Sequence, residues 1–316
     1  MQVVRDTANV TSALRGAVLA IGNFDGVHRG HQALLAEVRQ RAGRMGAPSG
    51  VIVFEPHPRE LFQPSEPHFH LTPLPLKLDC FGELGLDLAV VLKFDREMAA
   101  RSAQSFIEDL IVGHLAPRHL VIGYDFFFGK GRAGTPETMR AEGDRLGFGV
   151  SVVAPVAEDG EVFSSTAIRL KLAQGDIQGA TAALGRLWRV RGTVAGGFKR
   201  GTGLGFPTAN IPLEPGTALA HGIYAVWAEL DGVRQAAAAY LGTRPTFDDG
   251  SPMLEVFLLD FSGDLYGREL TVAFVEHIRA DRRFDTVEAL KAQMQADCDA
   301  ARRILAAAPI RSTCGA

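Results

Sequence analysis

The sequence has few cysteines and no basic segment. Its three cysteines, Cys80, Cys298 and Cys314, lie far apart and form no CxxC or Cys/His spacing that could hold zinc. With 33 basic and 36 acidic residues, the formal net charge is -3, and no long Lys/Arg run is present of the kind that meets duplex phosphates. The composition therefore argues against a nucleic-acid partner and predicts free thiols in a reducing compartment.

Long apolar runs are also missing. No apolar stretch approaches the roughly 18 residues that a helix needs to cross a bilayer. Arg5 and Asp6 precede any apolar run, unlike the basic and then apolar layout of a secretory signal. We therefore expect a cytoplasmic protein with no membrane partner. An oligomer is compatible with the sequence but is not predicted by it.

The apolar residues that are present suffice for two cores. The chain has 316 residues, of which 47% are hydrophobic and 22% charged, as in ordinary globular proteins. Between residue 17 and about 183, short apolar runs alternate with helical stretches, which is typical of a doubly wound parallel sheet. The strand candidates are residues 17–22, 50–56, 87–94, 119–126 and 150–156.

From about Trp188 the strand-like segments follow one another closely. The dipeptide Asp231-Gly232 between two of them indicates a tight hairpin, because glycine tolerates the positive φ that such a turn needs. This half is predicted to be an antiparallel barrel, capped by a helix from about Thr286 whose apolar stripe comprises Val287, Leu290, Met294 and Cys298. The predicted domains are residues 1–183 and 187–316.

The segment GNFDGVHRGH, residues 22–31, falls where the first strand of the predicted sheet passes into the first helix. Open α/β folds bind ligands at this edge, and glycines before a helix N-terminus suit a phosphate chain. His28 and His31, three residues apart, can point the same way, toward charge on phosphate oxygens. Two such histidines alone are more often ordinary surface residues. No Walker-type GxxxxGK[ST] motif is present.

The HxGH pair resembles the signature of the nucleotidyltransferase superfamily, and the whole segment closely resembles the adenylyltransferase half of bacterial bifunctional riboflavin kinase/FAD synthetases. FEPHP at 54–58, GYDFFFGKGRAG at 123–134 and SSTAIR at 164–169 are similar to further motifs of that family. SSTAIR on its own is merely a good helix N-cap. The resemblance implies catalytic roles for His28, His31 and Arg169. It implies ATP or phosphate contacts for Gly22, Asn23, Phe24, Gly30, Ser164, Ser165 and Thr166.

Residues 126–134, an aromatic block followed by three glycines, allow two interpretations. The glycines at 129, 131 and 134 spell G-x-G-x-x-G, a dinucleotide fingerprint, but they follow a late strand and enclose Lys130 and Arg132. We favour a mobile basic loop near the phosphates. Flavin contacts are predicted for Asp125, Phe128 and Phe62. The ring of Phe128 and, more loosely, that of Phe62 could stack on a flavin.

The segment GFPTANI at 205–211 carries a hydroxyl and an amide oxygen two residues apart, which would project to the same side of an extended chain. Both suit Mg2+, although PTAN alone is too short to distinguish from an ordinary turn. The segment resembles the flavokinase motif of the riboflavin kinase module. This resemblance implies that Gly205 and Thr208 contact ATP and that Thr208 and Asn210 bind Mg2+. Glu255 matches the module's general base, although a lone strand glutamate is usually solvated.

Several neighbours depart from that module. Thr202 replaces an arginine, Tyr240 an asparagine and Phe257 a histidine that the family commonly carries, and Asp281 stands where glutamate is usual. GTRPTF at 242–247 and DLYG at 264–267 follow the module. Thr208, Asn210 and Glu255 are retained, so the motif residues of a kinase site are present in altered surroundings.

The favoured hypothesis is an enzyme that phosphorylates riboflavin to FMN in the barrel and adenylylates FMN to FAD in the N-terminal domain. Its ligands would be riboflavin, FMN, FAD and ATP/ADP, with Mg2+ as cofactor. The alternative is an FMN adenylyltransferase whose degenerate barrel serves as a flavin-binding or regulatory module. A non-enzymatic flavin-binding regulator is a third hypothesis, and the lack of a basic nucleic-acid face speaks against it.

Overall fold

The computed structural model describes residues 1–5, 14–158, 160–195, 206, 208–242 and 252–308. These form two compact units. The first comprises Met1–Pro67 and Pro73–Ser164, and the second comprises His68–Thr72 and the described residues from Ser165 onward. The division into domains 1–183 and 187–316 stays a prediction.

The first unit is built on a parallel sheet of six strands, in the order β1-β4-β3-β2-β5-β6. Each predicted strand of this half is present, which confirms the doubly wound parallel sheet. The short edge strand β1 was not predicted. The strands are β1 (Gln2–Val4), β2 (Val18–Ile21), β3 (Ser49–Glu55), β4 (Leu88–Lys93), β5 (His119–Gly123) and β6 (Gly149–Val153).

The order of the strands fixes where a ligand can bind. From β2 the chain moves outward through β3 and β4 on one side, and then returns to β5 on the other side of β2. Ligands of open α/β sheets bind at the carboxyl ends of the strands where the order reverses. The end of β2, from which the GNFDGVHRGH segment continues, lies at this switch point.

Helices cover the sheet because its central strands are apolar on both faces, as the fully buried β2 shows. On α1, the apolar face formed by Leu34, Leu35 and Val38 is buried. A π-helix occupies Phe106–Leu115, a 3-10 turn occupies Lys130–Arg132, and Ala157–Glu158 pairs with Glu161–Val162 in a small hairpin, β7 and β8. The helices are α1 (Arg29–Met45), α2 (Pro58–Phe62), α3 (Leu74–Glu83), α4 (Arg96–Ala100), α5 (Ala103–Ser105) and α6 (Pro136–Leu146).

The second unit contains an antiparallel sheet of six strands, in the order β10-β13-β12-β11-β14-β9. A bridge between Ala195 and Asn210, with an N–H···O distance of 2.8 Å, joins the two ends of the sheet and closes the predicted barrel. The elements are α7 (Ser165–Ala173), α8 (Ile177–Leu184), β9 (Arg189–Thr193), β10 (Ala209–Pro212), β11 (Gly222–Leu230), β12 (Val233–Leu241), β13 (Met253–Leu258), β14 (Glu269–Arg279) and α9 (Val287–Ala307).

Turns and caps agree with the sequence in most places. Asp231 and Gly232 have φ values of 48° and 77°, the left-handed pair of a tight hairpin. Thr286 caps α9 by accepting a hydrogen bond from the Ala289 N–H at 3.1 Å. The predicted apolar stripe of α9 was wrong in its first member, because Val287 is 53% exposed.

Two further features bear on the earlier expectations. Among the described residues, no helix is long and apolar enough to cross a bilayer. Cys80 and Cys298 are buried and are not joined in a disulfide, whereas Cys314 lies outside the described residues.

Candidate active sites

The loop between β2 and α1 brings the two predicted histidines together. His28 is the N-cap of α1, and its Nδ1 accepts a long hydrogen bond, 3.4 Å, from the backbone N–H of His31. The rings stack with their centroids 3.7 Å apart. His28 is only 6% exposed. His28 is therefore buried and His31 is half-buried, with the two rings packed against each other.

Burial keeps both imidazoles neutral near pH 7. It lowers the pKa of His28 to about 4, although Asp25 acts in the opposite direction. Burial, followed by the charges of His28 and Lys77, lowers the pKa of His31 well below its ordinary value. His31 Nδ1 is buried without a hydrogen-bond partner among the described residues. Neutral imidazoles act on phosphate oxygens as hydrogen-bond donors and not as cations.

The loop itself is strained. Phe24 and Val27 have φ values of 49° and 44°, in the left-handed region that non-glycine residues rarely adopt, and Gly26 shares this region. The Phe24 ring is buried and meets the His31 ring edge-on, with centroids 5.2 Å apart. Its side chain therefore packs against His31. The ATP contact predicted for Phe24 stays a prediction.

Two glycines of the motif make room for rings. A Cβ on Gly30 would lie 3.1 Å from the His28 ring, and a Cβ on Gly22 would lie 3.1 Å from the Phe24 ring. These contacts are tighter than side chains normally allow. A larger residue at either position would press on an aromatic ring, a packing role that was not predicted beside the phosphate contacts.

A buried lysine was also missed. Lys77 on α3 donates from Nζ to the carbonyl of Asn23 at 2.8 Å. Burial lowers the pKa of Lys77, while the charges of Asp25, Glu55 and Glu60 raise it. The only sequence signal was one basic residue within an apolar helical run, LPLKLDCF.

The predicted flavin contacts are placed very differently from one another. Phe62 is 66% exposed and meets Phe94 edge-on, and Asp125 is exposed. Phe128 is 6% exposed, with its ring packed between Phe106 and Phe126 at centroid distances of 5.3 Å and 5.5 Å. The Phe128 ring is therefore part of the core, and the flavin contact predicted for it stays a prediction.

The glycines of the dinucleotide-like fingerprint have packing roles. A Cβ on Gly129 would lie 2.6 Å from the backbone N of Ala103, and a Cβ on Gly134 would lie 2.5 Å from the Phe128 ring. These contacts account for both glycines without a nucleotide. Lys130 and Arg132 are exposed, and Arg132 lies over the Phe127 ring, 5.0 Å from its centroid.

The SSTAIR segment forms the start of α7, which begins at Ser165 after Ser164. Thr166 is exposed, and Arg169 is half-buried. The Arg169 Nε donates to the Phe69 carbonyl at 2.8 Å, and its Nη2 lies 3.4 Å from His68 Nε2. The guanidinium group is therefore anchored on backbone, and its predicted catalytic role stays a prediction.

In the barrel, a cavity of about 210 Å³ contains two of the predicted kinase residues, Thr208 and Glu255, in its wall. Asn210 on β10 pairs directly with Glu255 on β13, and Glu255 pairs in turn with Tyr240 on β12. Side chains opposite one another on adjacent strands project to the same face, and so do residues two apart. The barrel thus gathers Thr208, Asn210 and Glu255. The strand β10 itself was not predicted from the sequence.

This ligand set fits Mg2+ that is shared with a nucleotide. The hydroxyl of Thr208 and the amide oxygen of Asn210 are hard donors of the kind Mg2+ prefers, and Mg2+ commonly completes its shell with phosphates and water. No group of three or more His, Cys, Asp or Glu side chains positioned for a metal occurs in the described part of the chain. The ion would therefore depend on phosphate oxygens.

The residues that depart from the kinase module form part of the cavity wall. Tyr240 donates from its hydroxyl to Asp281 at 3.1 Å, and Phe257 meets Phe206 edge-on with centroids 5.2 Å apart. With these contacts, Glu255 still lies on the strand face that it shares with Asn210. Thr202, Gly205 and the PTF segment lie outside the described residues.

An unpredicted ion pair braces the same cavity. Arg279 on β14 binds the buried Asp297 of α9 through two hydrogen bonds, of 2.9 Å and 2.7 Å. Gln293 donates to the same carboxylate at 2.7 Å. The paired geometry is strong and directional. In the sequence, the only sign of this ion pair is an acidic residue next to the apolar stripe of α9.

A parallel sheet with a stacked HxGH pair at its switch point defines a nucleotidyltransferase-type unit, and a closed barrel with a Thr, Asn and Glu oxygen set defines a flavokinase-type unit. A family model described as FAD synthetase matches residues 10–167, and one described as riboflavin kinase matches residues 184–305. The chain belongs to the family of bifunctional riboflavin kinase/FMN adenylyltransferases.

Relatives of that name match along almost the whole chain. The protein of Pseudomonas fluorescens is 42% identical over 97% of this chain and 98% of its own length. Those of Escherichia coli K12 and Bacillus subtilis are 40% and 35% identical, over 94% and 89% of this chain and 96% and 90% of their own. A crystal structure described as a macrolide-efflux protein from Streptococcus pneumoniae has a TM-score of 0.83 at 28% identity, covering 95% of this chain and 98% of that one.

Proposed function

We propose that this chain makes FAD in two ATP-dependent steps, phosphorylating riboflavin to FMN and then adenylylating FMN. The observation that carries the proposal is that Thr208, Asn210 and Glu255 converge on one face of the barrel in a chain that also holds the stacked His28–His31 pair. We assign the kinase step to residues 187–316 and the adenylyltransferase step to residues 1–183. Cys80 and Cys298 are not joined in a disulfide, which supports a cytoplasmic setting.

In the kinase step, Glu255 accepts the proton of the ribityl 5′-hydroxyl as its oxygen attacks the γ-phosphorus of ATP. The bond from that phosphorus to the β–γ bridging oxygen breaks, and ADP leaves. Thr208 and Asn210 offer oxygen ligands on the same face. These two residues would hold Mg2+, which would supply positive charge to offset that of the phosphates. The braced Arg279 keeps the cavity wall in place.

In the adenylyl step, the phosphate of FMN attacks the α-phosphorus of ATP and pyrophosphate leaves. The nucleophile is already anionic, so no general base is needed. His28 and His31, neutral and preorganised, donate hydrogen bonds to phosphate oxygens as charge builds on them. Arg169, Ser164, Ser165 and Thr166 are assigned to the triphosphate, and Phe62 and Asp125 to the flavin.

A second candidate is an adenylyltransferase whose barrel only binds flavin. It is favoured by Tyr240 and Phe257, which replace smaller or polar family residues in the cavity wall. Incubation with riboflavin, ATP and Mg2+ separates the two. We expect FMN and FAD to form; FAD formation only when FMN is supplied would reject the kinase half.

The variant Glu255→Gln tests the carrying residue. Without the carboxylate, we expect FMN formation to fall by about 10²- to 10⁴-fold, the usual contribution of a positioned base. FAD formation from supplied FMN should stay unchanged. Glu229→Gln, which neutralises an exposed carboxylate on β11 of the same barrel, is the matched control and should retain both activities. Equal kinase rates in the two variants would remove Glu255 from the mechanism.

A further inference from the structure

Lys77 places a buried ammonium group beside the histidine pair. It lies in the first turn of α3, and the residue is 5% exposed. Its Nζ donates to the carbonyl of Asn23 at 2.8 Å, within the loop that carries the histidines. It is also close enough to His31 to disfavour the protonated ring. One side chain thus acts on both the backbone and the electrostatics of the loop.

Stability does not account for a cation in this position. Burying a charge is unfavourable unless it is compensated, and replacing a buried charged group and its partners by apolar residues is often neutral or stabilising. Lys77 is compensated by carboxylates, since Asp25, Glu55 and Glu60 all favour its charged form. Asp25 is itself buried. The arrangement keeps a positive charge inside the site at some expense to folding.

The backbone contact acts at the most strained part of the loop. Asn23 directly precedes Phe24, which has a φ of 49°, and Gly26 and Val27 follow in the same left-handed region. A non-glycine residue in this region is disfavoured by about 1–3 kcal/mol, so the surroundings must hold it there. The ammonium–carbonyl hydrogen bond is a charge-assisted one and is suited to that task.

The charge also determines what the histidines can do. His31 faces His28 on α1, Lys77 on α3 and the ring of Phe24, with the carboxylates of Asp25, Glu55 and Glu60 around the lysine. In such a set the positive charge resides on the lysine. The imidazoles are left as neutral donors, and His31 Nδ1 has no partner among the described residues.

We propose that Lys77 is a positioning residue of the adenylyl-transfer site. Its ammonium group anchors the histidine loop at Asn23 and supplies the fixed positive charge of the site, so that His28 and His31 meet the phosphates as neutral hydrogen-bond donors. This inference rests on the proposed adenylyltransferase step.

The kinetic test compares Lys77→Met with Lys77→Arg in the full chain. We expect Lys77→Met to lower kcat for FAD formation from FMN by about 10- to 100-fold, the size of effect that a misplaced site produces, with KM for FMN nearly unchanged. Lys77→Arg keeps the charge and should recover part of the loss. Riboflavin phosphorylation, carried by the other half, should be unaffected in both.

The matched control is Arg44→Met, which removes one positive charge from the exposed last turn of α1. Arg44 lies roughly 24 Å from His28 along the helix, at about 1.5 Å per residue. This variant should keep both activities. A loss there equal to that of Lys77→Met would make net charge, and not position, the cause.

A second readout does not require turnover. In an NMR titration of the imidazole C–H signals, we expect His31 to protonate at higher pH in Lys77→Met than in the wild type, and Lys77→Arg to follow the wild type. An unchanged titration or an unchanged kcat in Lys77→Met would overturn the proposal. If Lys77→Met does not fold, Lys77→Arg decides: a shifted titration or a loss of kcat beyond about 100-fold rejects it. A wild type that makes no FAD would instead reject the proposed function, while the titration would still test Lys77.

Discussion

Gly30 is a residue at which helix propensity and site geometry oppose one another. It lies in the first turn of α1, where alanine is ordinarily the better helix former. However, a Cβ at this position would lie 3.1 Å from the His28 ring. We therefore expect Gly30→Ala to leave thermal stability nearly unchanged while FAD formation from FMN falls by about 10- to 100-fold as the stacked pair is displaced.

The same helix supplies the control. A Cβ on Gly43 would meet nothing within 4 Å, so Gly43→Ala should stabilise the protein by about 0.5–1 kcal/mol and leave both activities intact. Thermal melting and initial rates measured side by side check both variants. Wild-type adenylylation in Gly30→Ala would mean that the His28 ring can shift without consequence.

At the residue scale, the residues with a chemical role were easier to predict than the residues that hold them in place. His28 and His31 pointed to a site because their position at a helix start and their resemblance to the HxGH signature are visible in the sequence. The roles of Phe24, Phe128 and Lys77 were not visible, because they depend on which side of a ring or helix is buried. An aromatic residue such as Phe128 serves equally well in a core or on a ligand, and only its neighbours Phe106 and Phe126 distinguish the two.

Among the elements, α9 forms part of the wall of the barrel cavity. Leu290, Met294 and Cys298 line the cavity from this helix, and Asp297 holds Arg279. Thr286 begins the helix by capping the Ala289 N–H. Thr286→Ala should destabilise the barrel by about 1 kcal/mol, lowering the melting temperature by a few degrees and weakening riboflavin phosphorylation near that temperature.

A cap of the same kind in the other unit serves as the comparison. Thr135 caps α6 by accepting from the Thr138 N–H at 3.2 Å. Thr135→Ala should have a similar free-energy effect, but the activity that it weakens on heating should be FMN adenylylation. Differential scanning calorimetry with both assays distinguishes the variants. Equal loss of both activities in each variant would show that the units melt together.

The elements that escaped prediction are short or unusual. β1 has only three residues, and β10 has four, of which the last is a proline. Neither offers a periodic pattern long enough to recognise, and each forms because a neighbouring strand, β4 or β13, already presents a free edge. The π-helix at Phe106–Leu115 has the composition of an ordinary buried helix. Longer strands such as β3 and β4 were placed to within one residue.

At the scale of the whole molecule, the two chemistries rest on different structural solutions. The histidine pair and Lys77 depend on the switch point of a parallel sheet, where a strained loop meets a helix start. Thr208, Asn210 and Glu255 depend on the register of neighbouring antiparallel strands. A substitution in the histidine loop leaves the strand register of the barrel intact, and a substitution in the barrel leaves the loop intact. The two activities should therefore be separable by mutation.

Separable sites imply that two defective proteins can complete the pathway together. When given riboflavin and ATP, Glu255→Gln should form very little FMN. The double variant His28→Ala/His31→Ala should form FMN but no FAD. Mixed in equal amounts, we expect them to form FAD after a lag in which free FMN accumulates, because FMN made by one molecule must diffuse to another. Chromatography of the flavins over time measures this. A mixture that accumulates FMN without making FAD, although Glu255→Gln alone converts supplied FMN, would show that FMN remains on the protein that makes it.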